Sequence, residues 1–375
     1  MSNPVGKPLT ETDLRHILDG ACILGCGGGG PYALGKTLLE QVIKKGVVYL
    51  ADPGEVPDSA WMAVSAGVGS PLAAAQGFPF DVATIAFQQL EKLLAKQQPA
   101  PLSFVLPGET GAGNSIVPMT VAVSRNLPLV DADGARRAIP LLETDTYAAH
   151  HIPISPVVLA NATQTVSFDA PSPGVAQTVM DGIIDGGAFH EDAGIAFWAM
   201  NGATMKKAIV KNSVSFAREL GQTLAAGRLK GNPVQAVTNK LGGEVLFRGT
   251  IDVTGVQQQT RGGFDFGAIP IKSKTGRVTI YTQNENLICW SEKSAQPLIM
   301  APDLICYLTV EGQPFTNADL DLAKGHEIVV IGASCVPEMR LPYIVKSFLG
   351  LLGQLGYAGP YVPFGARPPK GKGGK

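Results

Sequence analysis

The stretch GACILGCGGGGPYALGKT, residues 20–37, decides which fold this chain can adopt. Five of the six residues at positions 25–30 are glycine. Gly25, Gly27 and Gly30 fit the G-x-G-x-x-G fingerprint of dinucleotide-binding folds, and residues 30–37 fit the P-loop pattern G-x-x-x-x-G-K-[ST]. Both motifs need a strand that runs into the glycines and a helix that begins at them. The flanking sequence therefore decides whether a nucleotide can be inferred.

That flanking sequence fits both nucleotide motifs poorly. Residues 10–19 predict a helix that continues almost directly into ACIL, so ACIL can be the helix end instead of a strand. YALGKTLLEQVIKK reads as one helix, which would place Lys36 and Thr37 a turn inside it, and Pro31 removes an N–H that a phosphate would use. An NAD-dependent oxidoreductase, or an NTPase with Asp131 as second metal ligand, stays an alternative. The other interpretation is a packing loop in which only glycine fits.

The order of predicted elements indicates two domains. Apolar strands alternate with amphipathic helices through the first part of the chain, which predicts an α/β domain on a parallel sheet over residues 1–164. Residues 165–335 are rich in β-branched residues and turns and predict a second, β-rich α+β domain. Residues 336–364 predict a C-terminal helix that returns to the first domain, and residues 365–375 a disordered tail.

Composition narrows the class of protein. Hydrophobic residues make up 45% of the chain and charged residues only 16%, which predicts surface covered by another subunit in a homo-oligomer. The net charge of −1 provides no basic field for nucleic acid or an anionic membrane. No apolar run is long enough to span a bilayer, and the N-terminus lacks a signal-peptide pattern. Five scattered cysteines indicate reduced thiols, and we expect a cytoplasmic protein that acts on a small molecule.

Four short loops follow predicted strands of the first domain. They span residues 25–32, 67–71, 108–115 and 131–137, and all are rich in glycine or short polar residues. Because loops after parallel strands meet at one edge of a sheet, we expect them to form a common site. Gly28, Gly29 and Ser70 are candidate substrate-binding residues on these loops, where backbone N–H groups can face a carbonyl or an anion.

The same loops carry the candidate catalytic groups. Glu109 is a candidate general base, and Asn114 either orients substrate or caps a helix. Asp131 and Asp133 share a strand face, where they could bind substrate, share a proton or simply form a turn. Arg137 could hold a substrate carboxylate or form a structural ion pair.

Downstream of these loops, His150 is the candidate histidine. Together with Glu109 and nearby acids it could form a mononuclear metal site, although no ligand spacing supports a metal, and the cofactor stays open. Cys26 and Cys335 are candidate nucleophiles, with a role as small apolar residues as the alternative.

Four segments together resemble one known family. ILGCGGGGPYALGK, GVGSP, GETGAGNS and LPLVDADGARRAIP occur in the order and spacing of the S-methyl-thiohydantoin desulfurase-like family, whose genes often accompany hydantoinase and oxoprolinase genes. The resemblance implies hydrolysis at the carbon–sulfur centre of a five-membered ring, with release of a thiol. It also leaves open a non-catalytic partner of a hydantoinase or oxoprolinase complex.

The resemblance also assigns roles within this site. It implies a water activated by Glu109 or Asp133, ring hydrogen bonds from Asn114 and the loop amides, and a cation from Arg137. This sequence departs from the family pattern at Ala112 and Arg136, where glycine is usual, and at Leu141, where glutamate is usual. These differences within the predicted site indicate a different substrate.

Overall fold

The computed structural model describes residues 5–75, 77–96, 100–186, 189, 192–261 and 264–365. Apart from Gly365, the predicted disordered tail lies outside these ranges. Numbered along the chain, the helices are α1 (Glu11–Leu24), α2 (Tyr32–Lys45), α3 (Pro71–Ala74), α4 (Val82–Leu94), α5 (Val117–Arg125), α6 (Thr146–Ala149), α7 (Pro173–Asp185), α8 (Gly202–Ala208), α9 (Ser213–Leu229), α10 (Pro233–Leu241) and α11 (Pro342–Gln354).

The strands fall into two eight-stranded sheets and a two-stranded ribbon. They are β1 (Lys7–Pro8), β2 (Tyr49–Ala51), β3 (Trp61–Gly69), β4 (Leu102–Pro107), β5 (Leu129–Val130), β6 (Ala132–Asp133), β7 (Val157–Ala160), β8 (Thr165–Phe168), β9 (Asp192–Asn201), β10 (Val210–Lys211), β11 (Glu244–Ile251), β12 (Gln257–Arg261), β13 (Phe264–Ser273), β14 (Gly276–Gln283), β15 (Glu285–Ser291), β16 (Ile299–Met300), β17 (Leu304–Thr309) and β18 (Ile328–Ala333). Short 3-10 turns occupy Leu142–Thr144, Leu320–Ala323 and Pro337–Arg340.

The first sheet is mixed, which corrects the prediction of a parallel sheet. Its strand order is β1-β2-β5-β4-β3-β9-β7-β8, and only the pairs β2–β5, β5–β4 and β4–β3 are parallel. β9 pairs antiparallel with nearly the whole of β3. β7 and β8 form a hairpin and are therefore antiparallel as well. The sheet thus takes strands from both sides of residue 164.

Helices cover both faces of the first sheet. β4 shows why, because its residues divide between the two cores: Leu102 and Val105 pack with α1, α2, α4 and α5, whereas Phe104 and Leu106 pack with α6, α7 and α8. The run from Phe104 to Leu106 is continuously apolar, as expected when both faces of a strand are buried. The sheet edge at the end of β3 and β4 is thereby held rigidly.

The opening stretch of the sequence folds as helix, loop, helix. Thr10 caps α1 through its side chain, and the capping-box partner Asp13 closes the first turn. α1 runs through ACIL to Leu24, so no strand enters the glycines. Lys36 and Thr37 are exposed inside α2, where the Thr37 hydroxyl donates to the carbonyl of Ala33 at 3.0 Å. Neither nucleotide motif therefore has the strand–loop–helix framework that it requires.

The second sheet is antiparallel, in the order β16-β15-β14-β13-β11-β18-β17, with β12 paired to β13. α9 packs against α1 and α10, and the C-terminal half of α1 shares a core with α9, α10, β17 and β18, so α1 belongs to the cores of both domains. α11 packs against α6 and the turn Leu142–Thr144. Among the described residues, no helix combines the length and apolarity needed to span a bilayer.

Candidate functional site

A pocket opens where the ends of β3 and β4 face the second sheet. It encloses about 760 Å³ of empty space, part of which is open to solvent. Its polar lining consists of Glu109, Asn114, Asp145, Gln177, Asp181, Asn284 and Glu285. Its apolar walls include Ile139, Leu141, Leu142, Ile184, Ile195, Phe197, Trp198 and Phe264. The pocket is therefore largely apolar with a small set of converging polar groups, as is usual for small-molecule sites.

Three of the four predicted loops line this pocket. The first loop contributes residues 29 and 30, the second contributes residues 67–71 except Ser70, and the third contributes residues 108, 109 and 114. The fourth loop, residues 131–137, lies behind them, and the pocket is completed instead by the next residues, 139–142. The first loop packs so closely on the third that a Cβ on Gly29, where φ is +72°, would lie 2.6 Å from the Cα of Gly111. Glycine is required at position 29 for this contact.

Backbone hydrogen bonds join the glycine loop to both domains. The carbonyl of Gly29 accepts the N–H groups of Gly113 and Asn114 at 2.8 and 3.0 Å. On its other side, Asn286 N–H donates to the carbonyl of Cys26 at 2.7 Å, and Asn317 N–H donates to that of Gly27 at 2.8 Å. The loop is thus a packing junction that brings the second sheet to the edge of the first.

Glu109 is held in a form suited to accept a proton. Its Oε1 accepts from the Asn114 side-chain amide at 2.6 Å, and its Oε2 accepts the N–H of Ile139 at 2.6 Å. Burial raises the pKa of this carboxyl to about 7, because desolvation outweighs these two hydrogen bonds and the attraction of Arg137, both of which lower the pKa. Near neutral pH, Glu109 therefore exchanges a proton readily.

Asn114 positions Glu109. Its Oδ1 accepts the N–H of Gly67 at 2.7 Å, and its Nδ2 donates to the carbonyl of Gly67 at 3.1 Å as well as to Glu109. The helix-cap interpretation is wrong, because α5 begins only at Val117 and has no side-chain cap. Asn114 thus links β3 to the Glu109 carboxylate. Both polar atoms of its side-chain amide are engaged in these hydrogen bonds.

Glu285 faces the same pocket from the second sheet. Its side chain is 2% exposed; Oε1 accepts only the N–H of Gly29 at 3.3 Å, and Oε2 is buried without a hydrogen-bond partner. Burial and repulsion by Glu109 raise the pKa of Glu285 well above its usual range. The pocket therefore pairs a carboxyl whose pKa is about 7 with a second carboxyl in which burial favours the protonated form.

Asp145 is a third buried carboxyl in the wall. Its Oδ1 caps α6 by accepting the N–H of Ala148 at 2.8 Å, whereas Oδ2 is buried without a partner. Burial is the main cause that raises its pKa well above the usual range, and repulsion by Asp133 and Glu109 adds to it. The raised pKa favours the neutral form of Asp145, in which Oδ2 can donate a hydrogen bond into the pocket.

Sequence reasoning did not identify Glu285 or Asp181, and it considered Asp145 only as one of the acids near His150 in a possible metal site. Glu285 lies 256 positions from Gly29, its contact in the pocket. One signal was available: Glu285 lies two residues before the apolar run LICW, residues 287–290. A buried carboxyl at the start of β15 is costly unless it has a function.

Several predicted site residues lie outside the pocket lining. Asp133 is fully enclosed: Ser213 Oγ and the N–H groups of Ala135 and Arg136 donate to its Oδ1 at 2.7–3.0 Å, and the Thr110 hydroxyl donates to its Oδ2 at 2.5 Å. Asp131 accepts the N–H of Ser215 at 2.9 Å, in the first turn of α9. Their predicted common face does not form one site.

Arg137 is also enclosed, with 0% exposure. Its guanidinium and Nε donate to the carbonyls of Asn286, Pro302, Asp303 and Ala138 at 2.9–3.2 Å, so it joins the first domain to the second instead of facing a ligand. Its charge nevertheless lowers the pKa of Glu109 and Glu285.

The remaining predicted residues are scattered around the pocket. His150 is exposed and outside the lining, and Ser70 donates to Asp265 Oδ1 at 2.9 Å, which fastens its loop to β13. Gly28 lies beside Glu285. Of the three departures from the family pattern, Leu141 lines the pocket, whereas Ala112 and Arg136 do not.

The candidate thiols and metal ligands can be placed as well. Cys26 lies outside the pocket lining, and its Sγ is 3.9 Å from that of Cys306. Cys335 borders a different cleft, and burial raises its pKa to about 12. Within the part of the chain that the structure describes, no group of three or more His, Cys, Asp or Glu side chains is arranged to hold a metal ion.

Comparison with known proteins gives two family matches and one informative structure. Residues 12–168 match the family described as S-Me-THD-like, N-terminal domain, and residues 187–363 match S-Me-THD-like, C-terminal domain. A crystal structure of a protein from Chromobacterium violaceum is 29% identical, with a TM-score of 0.81 over 96% of this chain and 100% of the other. No curated protein matches the sequence.

Proposed function

The chain belongs to the S-Me-THD-like family, and from this premise we propose that it is a hydrolase of an S-methyl-thiohydantoin-like or hydantoin-like ring that releases a thiol. The observation that carries the proposal is the carboxyl pair: Glu109, whose pKa is about 7, and Glu285, whose pKa burial raises well above its usual range, line one pocket. Two titratable groups whose environments separate their pKa values are the usual arrangement of a general base and a general acid.

The proposed reaction begins with addition of water. The Glu109 carboxylate takes a proton from water as the oxygen forms a bond to the ring carbon that carries the thiomethyl group. The C=N electron pair moves to the ring nitrogen, which takes the proton of Glu285. The burial of both carboxyl groups strengthens these interactions because little water competes with them.

Collapse of the tetrahedral adduct restores both residues. The hydroxyl proton goes to the Glu285 carboxylate as the carbonyl forms, the carbon–sulfur bond breaks, and the departing methanethiolate takes the proton from Glu109. The products are methanethiol and a hydantoin, and the two carboxyl groups regain their starting protonation states. Asn114 and the N–H of Ile139 keep Glu109 in place throughout.

The other residues predicted from the sequence take supporting roles in this proposal. Asp133, the other candidate base, is enclosed by four donors, which favours Glu109 for that role. Arg137 contacts carbonyl groups, so we assign the guanidinium a positioning role for the two glutamates. Homo-oligomerisation, a cytoplasmic location and association with hydantoinase or oxoprolinase subunits stay predictions.

The test is thiol release from a synthetic S-methyl-thiohydantoin by the purified chain alone. Glu109→Gln and Glu285→Gln should each lower kcat by about 10²–10⁴-fold, the range for loss of a general base or acid, without lowering Tm by more than a few degrees. Glu327→Gln, at an exposed position outside the pocket, is the matched control and should keep full activity. Absence of thiol release by the wild type, together with tight binding of NADH or Mg-ATP, would contradict the proposal.

A further inference from the structure

Besides the carboxyl pair, the pocket contains an unusual set of charges. Four carboxyl groups line it, from Glu109, Asp145, Asp181 and Glu285, and no lysine, arginine or histidine appears among the described lining residues. An anionic substrate group would be repelled by the ionised carboxylates of the wall and would find no cation among the described lining residues. The lining thus favours ligands that are neutral or cationic.

Asp181 is fixed in place by its own helix. Gln177, Asp181 and Ile184 are spaced four and three residues apart on α7 and therefore share the face that lines the pocket. The N–H of Leu142 donates to the Gln177 Oε1 at 3.1 Å, which turns the amide so that its Nε2 donates to Asp181 Oδ1 at 2.8 Å. The carboxylate is thus oriented by a side chain that is itself anchored to the backbone.

Asp181 also differs from the other acids in its surroundings. It is half-buried, whereas Glu109, Asp145 and Glu285 are buried. Burial raises its pKa to about 6, so it carries a charge at neutral pH, and no ion pair joins it to a lysine or arginine within the described ranges. A charged, oriented carboxylate in a pocket wall without a counter-ion is available to a ligand.

Two deeper atoms independently indicate a polar ligand. Asp145 Oδ2 and Glu285 Oε2 are buried in the wall without partners, in side chains that are 1% and 2% exposed. Burial favours the protonated form of both carboxyl groups, so a ligand with suitably placed hydrogen-bond acceptors, such as ring carbonyls, would satisfy these atoms. The same pocket wall contains apolar side chains, among them Ile184 and Trp198, which suit a methylene chain.

We propose that the substrate carries an ammonium or guanidinium group on a short methylene arm, and that Asp181 is the residue that selects it. This inference rests on the proposed function for the identity of the ring, since the arm would project from the hydantoin-like ring toward α7. Gln177 is a positioning residue that keeps the carboxylate turned toward the arm. The protein would then prefer rings derived from basic amino acids over those derived from acidic ones.

The experiment measures binding by calorimetry and needs no turnover. Three hydantoins, with 4-aminobutyl, isobutyl and carboxyethyl arms, are titrated into wild type, Asp181→Asn and Asp181→Lys. We expect wild type to bind the aminobutyl ring about tenfold more tightly than the isobutyl ring, Asp181→Asn to lose that preference, and Asp181→Lys to favour the carboxyethyl ring. Asp185→Asn, on the same helix but outside the pocket lining, is the matched control and should behave as wild type.

The outcomes separate this inference from the proposed function. If wild type and Asp181→Asn bind all three rings equally, the inference is overturned and the ring assignment stands. If none of the rings binds but butylammonium binds wild type and not Asp181→Asn, the cation-selecting role stands and the ring assignment fails. If neither the rings nor butylammonium binds, both are overturned.

Discussion

Two neighbouring clusters of buried ionisable groups differ in how their polar atoms are used. In the scaffold cluster (Asp131, Asp133 and Arg137), protein donors and carbonyls enclose the charged groups, as Asp133 with its four donors shows. In the pocket cluster (Glu109, Asp145 and Glu285), two oxygens are buried without partners. Burial alone therefore does not identify a functional acid. A buried polar atom without a partner in a pocket wall is the better indication of a functional acid, because it destabilises the fold unless a ligand pairs with it.

The first prediction is the largest in effect and concerns Arg137. Arg137→Met should lower the free energy of unfolding by about 3–5 kcal/mol, because it leaves several interdomain carbonyls unpaired and removes the charge that the pocket acids experience. Urea unfolding measures this loss. Arg137→Lys, which keeps the charge but not the planar fork, should fall between Met and wild type. A variant of normal stability that no longer binds substrate would return Arg137 to the ligand-binding role suggested by the sequence.

The second prediction concerns pH and separates the pocket cluster from the scaffold. The pKa of Glu109 is about 7 in the folded state and 4.5 in the unfolded chain. Between these two pH values the folded state therefore binds more protons than the unfolded state. Its contribution to stability is therefore present below about pH 4.5 and is lost as the pH rises to about 7, a decrease of about 3 kcal/mol. Glu285 acts in the same direction, because its pKa in the folded state is also raised.

Denaturant unfolding at pH 5 and pH 7.5 measures this slope. Glu109→Gln should flatten it, whereas Glu327→Gln, at an exposed position, should leave it unchanged. Activity should have the opposite trend and increase through about pH 7, because the base works only when ionised. An unchanged slope in Glu109→Gln would mean that Glu109 is ionised throughout, and the contrast between the two clusters would then be weaker.

The third prediction is the smallest and tests the scaffold assignment of Asp133. Asp133→Asn should lower the free energy of unfolding by about 1–3 kcal/mol, because the carboxylate loses charge-assisted bonds from Ser213, Thr110 and two backbone N–H groups, while kcat should change little. His150→Ala, at an exposed position, is the control and should change neither quantity. Lost turnover with an unchanged Tm would instead give Asp133 a catalytic role.

The candidate site was predictable in part. Glu109 and Asn114 could be identified because a carboxyl and an amide in a glycine-rich loop after an apolar strand lie at a sheet edge, where ligands bind. The pairing of Glu109 with Glu285 could not be predicted, since nothing local to residue 285 specifies which distant loop its strand will meet. The prediction that Asp131 and Asp133 share a strand face assumed a regular strand. That assumption was wrong, because β6 contains only Ala132–Asp133 and the chain then turns.

The sequence by itself determined the family, the alternation of strands and helices in the first part, the β-rich second part, and the helix Tyr32–Lys45 after the glycines. These features follow from local patterns of apolar residues, caps and turns, which act over a few residues. The tertiary structure decided that the sheet is mixed, that the glycines form a junction between domains, and which acids share the pocket. Such outcomes depend on contacts between distant segments, where desolvation and unpaired hydrogen-bonding groups give each carboxyl its character.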